Sequence, residues 1–122
     1  MVDSLERQKR LNLKHLKNPQ VGDYWHEMLV PVLVVLDVDD EGITVCKRTK
    51  QVDNNHWTWD LGKYEKMSRE DFQYYLSRAG DPERGQWAKV VPGLMAWASD
   101  EWFKKYKRKQ RKLQPVATSE RG

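Results

Sequence analysis

Seven consecutive residues, Val30-Pro31-Val32-Leu33-Val34-Val35-Leu36, hold six of the 26 Leu, Ile, Val and Phe side chains in a chain of 122 residues. A run this apolar and β-branched reads as a strand buried on both faces, since a half-exposed strand alternates with period two. Pro31 stands near its beginning, where a missing N–H is tolerated. Asp37-Val38-Asp39-Asp40-Glu41-Gly42 then reads as a hairpin turn, because Asp and Gly accept tight or positive dihedrals. Ile43-Thr44-Val45-Cys46-Lys47 alternates as the returning strand. Ahead of the run, Val21-Gly22-Asp23-Tyr24-Trp25 opens another strand. After a polar loop at 51–55, His56-Trp57-Thr58-Trp59-Asp60-Leu61 alternates once more, with Trp57, Trp59 and Leu61 on one face. Four short strands between 21 and 61 predict a meander that curls.

Aliphatic residues are scarce, so six Trp and five Tyr must supply core volume. Trp57 and Trp59 are expected inside, with one of Tyr24 or Trp25 exposed. Helices flank the strands. Residues 5–17 are rich in Leu, Lys, Arg and Gln, with Asp3 and Glu6 suited to a capped start and Asn18-Pro19 to a stop. Leu5, Leu11, Leu13 and Leu16 make no clean apolar stripe, which predicts a peripheral helix or one that orders against a partner. Ser68 with Asp71, and Met67 before them, signal a capped and stapled helix near 69–78, with Phe72, Tyr75, Leu76 and Ala79 inward and Gly80 and Pro82 stopping it. Gln86–Val91 is either a short strand closing the sheet or a helical turn. Leu94, Ala98, Trp102 and Tyr106 recur every four residues, so a helix runs over 92–113, or starts afresh at Ser99, until Pro115. The expectation is one α+β domain over 1–122. It comprises an N-terminal helix within 1–18, a barrel-like core with one packed helix over 19–91, a long basic helix over 92–113 and a flexible tail over 114–122.

The formal charge of +4 is divided along the chain. Residues 1–18 carry five Lys/Arg against two acids, 19–98 nine against thirteen, and 99–122 eight against three. Lys104, Lys105, Lys107, Arg108, Lys109, Arg111 and Lys112 place seven cations in nine positions, dense enough to attract a polyanion.

Several chemistries lack their residues. Trp25-His26-Glu27 begins like a zinc helix, yet Val30 stands where the second His is needed. Asp37, Asp39 and Glu41 before Gly42 imitate a calcium loop, but the twelfth position is Arg48. Cys46 reads as a small core residue, and one Cys forms no internal disulfide. Glu27, His56 and Asp60 are the one acid–base set to nominate, with His56 and Asp60 roughly 13 Å apart along a strand. There is no Gly-rich phosphate loop and no nucleophile elbow. The expectation is therefore a chain with no catalytic residues, no metal and no cofactor. No apolar run approaches a membrane span and no secretory signal precedes Met1-Val2-Asp3-Ser4, which points to the cytoplasm.

The stretch Val21–Leu61, with Val-Gly-Asp-Tyr-Trp opening a strand, then an aliphatic strand, an acidic hairpin and a Trp-bearing strand, resembles the small Src-homology-three-like barrels of compact bacteriophage proteins. The likeness covers a third of the chain. It implies an accessory protein of a phage or mobile element, in the host cytoplasm, acting by binding rather than turnover.

The leading expectation is a non-catalytic module contacting nucleic acid phosphates through the seven C-terminal cations, with little sequence preference. Trp102, Phe103 and Tyr106 interleave with them, although Trp102 and Tyr106 fall on the inward stripe. The alternative is a protein-interaction module, such as an inhibitor of a host protein, using Tyr24 and Trp25 with the acidic hairpin Asp37, Asp39, Asp40 and Glu41. A third arrangement docks the basic helix on the acidic middle section.

Overall fold

The computed structural model describes residues 4–28, 30–54, 56–84 and 88–107. The fold is α+β, with α1 (Ser4–Lys17), β1 (Tyr24–Glu27), β2 (Val30–Asp39), β3 (Gly42–Cys46), β4 (Thr49–Asp53), β5 (His56–Trp59), β6 (Tyr64–Met67), α2 (Arg69–Ala79), β7 (Ala88–Val91) and α3 (Ala96–Trp102). Five strands form one antiparallel sheet in the order β6-β3-β2-β1-β7, and β4 pairs with β5 in a separate two-stranded sheet. β2 is central, as its composition requires.

Two cores lie on opposite faces of this sheet, because successive β2 side chains point opposite ways. Leu33 and Val35 join Trp25, Ile43, Val45, Phe72, Leu76, Val90 and Leu16 beneath α1 and α2. Val34 and Leu36 join Cys46, Trp59, Leu61, Met95, Ala98 and Trp102 beneath α3. The result is three layers, helix on sheet on helix. Gly22 ties the second helix layer to the sheet: its N–H donates to the Val35 carbonyl, and its carbonyl accepts from Met95 N–H. Its φ of 90°, with Ala96 Cα 3.1 Å from where a Cβ would stand, suits Gly alone.

Several expectations are corrected. No closed barrel forms among the described residues: the Trp-bearing strand β5 leaves the main sheet to pair with β4, and β6 takes the place beside β3. The expected Src-homology-three-like barrel is therefore not seen, and what forms in its place is an open sheet containing the β1-β2-β3 meander. The polar loop expected at 51–55 is largely strand, since Thr49–Asp53 finds its hydrogen bonds in β5 rather than in the core. Ala88–Val91 is a strand, antiparallel to β1. The long basic helix over 92–113 is not seen: 92–95 is a turn, α3 spans seven residues, and Phe103–Lys107 widens into a π turn. Arg108, Lys109, Arg111 and Lys112, and the tail expected over 114–122, lie outside the described residues. The helix at 69–78 matches its signals, with Ser68 Oγ accepting from Asp71 N–H at 3.0 Å.

The β2–β3 turn also matches, with Asp39 Oδ1 accepting from Glu41 N–H and Gly42 N–H. A Cβ on Gly42 would lie 2.3 Å from the Met67 carbonyl oxygen, on backbone that cannot rotate aside. Gly42→Ala is therefore expected to cost about 2 kcal/mol by forcing β3 and β6 apart. Urea denaturation checks it, and an unchanged midpoint would contradict this turn geometry.

Candidate nucleic-acid interface

The acidic hairpin and the start of the basic run, read from sequence as rival sites, meet in the fold. Lys107 Nζ donates to Asp37 Oδ2, and its ammonium lies 6.0 Å from the Trp102 ring centroid and 5.8 Å from that of Phe103. Lys105 pairs with Glu101 at 2.9 Å, which raises the lysine's pKa and lowers the glutamate's. Lys104 is exposed. Asp39 is held by Lys66 at 2.7 Å, its carboxyl drawn below the usual range by that hydrogen bond, while Asp40 and Glu41 face solvent. Thus Lys105, Lys107, Asp37 and Asp39 already have partners within the chain.

The aromatic expectations reverse in part. Trp25 is 0% exposed, edge-on to Phe72 at 6.5 Å, so it is a core residue and no anchor for a partner. Tyr24 is half-buried between His26 and Trp59, and burial raises its hydroxyl pKa. Trp59 is buried as expected, but Trp57, two residues earlier on β5, is 64% exposed because the β4–β5 hairpin carries it past the core. Trp97 on α3 is 51% exposed. It lines a cleft of about 190 Å³ with Trp59, Tyr106, Lys50, Lys105 and Glu101.

Among the described residues, a further exposed basic surface lies on α1, outside the sites expected from sequence. On α1, Arg7, Arg10, Lys14 and Lys17 are spaced by three, four and three residues, which aligns them on one helical face, and all four are exposed. None forms an ion pair with another described residue. The stripe runs from Arg7 to Lys17, ten rises of 1.5 Å or roughly 15 Å.

What aims this stripe outward is a buried polar face on the other side of α1. Asn12 is fully buried. Its Oδ1 accepts from Val90 N–H at 3.1 Å, and its Nδ2 donates to the carbonyls of Pro82 and Ala88. Gln8 Nε2 donates to Asn12 Oδ1 at 2.7 Å and to the Val90 carbonyl. The two amides thus supply the free edge of β7 with the bonds a further strand would give it. One turn on, His15 Nδ1 lies 2.8 Å from Asp23 Oδ2, which also accepts from Gln20 N–H. Both side chains are buried.

Burial pushes the Asp23 carboxyl above the usual carboxylate range, against the lowering effects of Gln20 N–H and His15, and its Oδ1 has no donor among the described residues. A carboxyl raised in the folded state binds its proton before the unfolded chain does. This group alone therefore adds stability as pH falls from its folded value toward the ordinary one. Asp23→Asn should remove that gain, so the variant's stability relative to the native chain should drop as pH is lowered through that window. Denaturant titrations across the window test it, and a relative rise would contradict the burial argument.

Enzymatic readings gain no geometry. Glu27 and Asp60 line different clefts, and His56 pairs with Asp53 at 2.7 Å on the β4–β5 hairpin. Burial pushes the Cys46 thiol above its ordinary range, and its Sγ donates to the carbonyls of Arg48 and Asp60. Among the described residues, no group of three His, Cys, Asp or Glu could hold a metal ion, and no helix is long and apolar enough to cross a membrane. Comparisons with protein-family models, curated proteins and solved structures found no match.

Proposed function

We propose that the chain is a non-catalytic module that docks on nucleic acid phosphates with little sequence preference, through α1 as well as the C-terminal cations. The observation that carries this reading is the Arg7–Arg10–Lys14–Lys17 stripe, set opposite a buried polar network and with no ion pair to another described residue. A duplex presents a phosphate every 3.4 Å along each strand, so a 15 Å stripe passes roughly four of them. Lys and Arg without planar base partners position a protein on a backbone and do not read bases. The C-terminal cations contribute less than their number suggests, since Lys105 and Lys107 are already paired.

Binding of the full chain to a short labelled DNA duplex across a salt series tests the reading. The expected result is affinity that falls steeply with salt, because each neutralised phosphate releases counterions. Absence of binding at low salt, or binding indifferent to salt, overturns it. The protein-interaction reading keeps one specific support, the exposed Trp57 and Trp97, and would show itself as salt-insensitive capture of a protein lost on Trp57→Ala or Trp97→Ala.

A further inference from the structure

We infer that the cleft between the β4–β5 hairpin and α3 binds a small zwitterion, with its alkylated ammonium inward among aromatic side chains and its anionic group at the rim. This inference is independent of the nucleic-acid reading, which rests on α1. Trp59, Trp97 and Tyr106 line the cleft. Trp59 is 9% exposed and Trp97 51%, so the aromatic wall runs from the core to the surface. Tyr106 stands on the π turn, a backbone form that recurs at functional sites, and its ring is backed by that of Tyr64 at 5.5 Å.

Two lysines and two carboxylates line the same cleft, and they are separated in depth. Glu101 and Lys105 pair with each other at 2.9 Å and so neutralise one another. Asp60 and Lys50 remain, and neither side chain forms a hydrogen bond or ion pair with another described residue. Asp60 is half-buried, between the buried Trp59 and Leu61, whereas Lys50 is exposed on β4 opposite Thr58. The negative pole of the cleft therefore lies inward and the positive pole at the rim. Asp60 is also fixed before any ligand arrives: its N–H donates to the Arg48 carbonyl at 3.0 Å, and its own carbonyl accepts from Lys63 N–H at 2.9 Å and from Cys46 Sγ. A Cβ on Gly62 would lie 3.6 Å from Asp60 Oδ1 and 3.0 Å from the Tyr106 hydroxyl, so the carboxylate and that side chain border the same point. A preorganised acceptor loses little freedom on binding.

A cation beside aromatic faces is attracted by their quadrupoles, and an alkylated ammonium is favoured there because it gives up less hydration than a bare one. The uncommitted Asp60 carboxylate adds Coulomb attraction, strengthened by its partial burial. Lys50 supplies the counterpart for an anionic group on the same molecule. A zwitterion thus matches both poles, where a simple cation or a simple anion meets repulsion from one of them. The cleft volume of about 190 Å³ lies below the roughly 300–1,000 Å³ of drug-sized sites, which fits one small molecule.

The probe is glycine betaine, a trimethylammonium carboxylate, titrated into the ¹⁵N-labelled full chain at constant ionic strength. The expected result is saturable shifts centred on Asp60, Trp97 and Tyr106, the Trp97 indole N–H included. 3,3-Dimethylbutyrate, which has the same shape with carbon in place of the ammonium nitrogen, should leave those signals unmoved, and tetramethylammonium chloride should bind more weakly than the betaine. Trp97→Ala, at an exposed helix position that Ala suits, and Asp60→Asn, which keeps the side-chain shape, should each weaken betaine binding on the order of tenfold. Absence of saturable shifts at the cleft, equal binding of the carbon isostere or of tetramethylammonium, or unchanged affinity in either variant overturns the inference.

Discussion

Replacing Arg7, Arg10, Lys14 and Lys17 together with Gln should lower affinity for a short DNA duplex on the order of 100-fold at about 0.15 M salt, and should flatten the salt dependence by about four units of log–log slope. The magnitude follows from counterion release, in which each lost phosphate contact removes nearly one ion from the binding equilibrium. Fold is expected to survive, because all four side chains are exposed and Gln is a good helix former. Lys14 and Lys17 also complement the negative end of the helix dipole, so a loss of up to about 1 kcal/mol of stability accompanies the change. Single substitutions should each remove about one unit of slope. A quadruple variant that binds with native affinity would place the phosphate contacts elsewhere.

Asn12→Ala should destabilise the fold by roughly 3 kcal/mol, although it deletes one small polar side chain from a helix that Ala favours. The substitution leaves the Val90 N–H and the Pro82 and Ala88 carbonyls, all on buried residues, without this partner. An unsatisfied buried group costs roughly 1–3 kcal/mol, and three lose this partner together. Against a typical total of about 5–15 kcal/mol, that is a large share. Gln8→Ala should cost less, because Gln8 is partly exposed and, of its two acceptors, Asn12 Oδ1 keeps its bond from Val90 N–H. Denaturant titration measures both, and amide exchange should show α1 and β7 losing protection before β2 and β3. A cost below about 1 kcal/mol for Asn12→Ala would mean that α1 is not locked by this network.

These two expectations meet at the element the sequence described least well. Leu5, Leu11, Leu13 and Leu16 gave α1 no apolar stripe, and the reason is now physical: the face it buries is carried by Gln8, Asn12 and His15 with Leu16, and polar residues that hydrogen-bond a strand edge leave no hydropathy period. The same blindness hid β4 and β6. Thr-Lys-Gln-Val-Asp is exposed along its whole length, and Tyr-Glu-Lys-Met is an edge strand with its polar residues outward, so neither shows an alternation strong enough to read. Where burial was one-sided or complete, the reading held. β2, the acidic turn before Gly42 and the capped α2 all follow from side chains whose environment is set within a few residues.

The site was legible to a smaller degree. Counting cations located charge but not its availability, because Lys107 is paired with Asp37 seventy residues away and no local pattern announces that contact. Alternation correctly gave Trp57 and Trp59 the same face, yet burial of the second and exposure of the first depend on where the hairpin leaves the core. The α1 stripe could have been found from its spacing alone. The clue was the run of exposed cations at helical intervals opposite positions that could not be apolar packing.

The most direct test is a ¹H–¹⁵N spectrum of the uniformly labelled chain, titrated with a short DNA duplex at low salt. The expected result is a set of shifts concentrated on α1, at Arg7, Arg10, Lys14, Lys17 and their neighbours, that reverses on adding salt. Shifts confined to residues around the acidic hairpin or the Trp97 cleft, or no shifts at all, would contradict the assignment of the phosphate-binding face to α1.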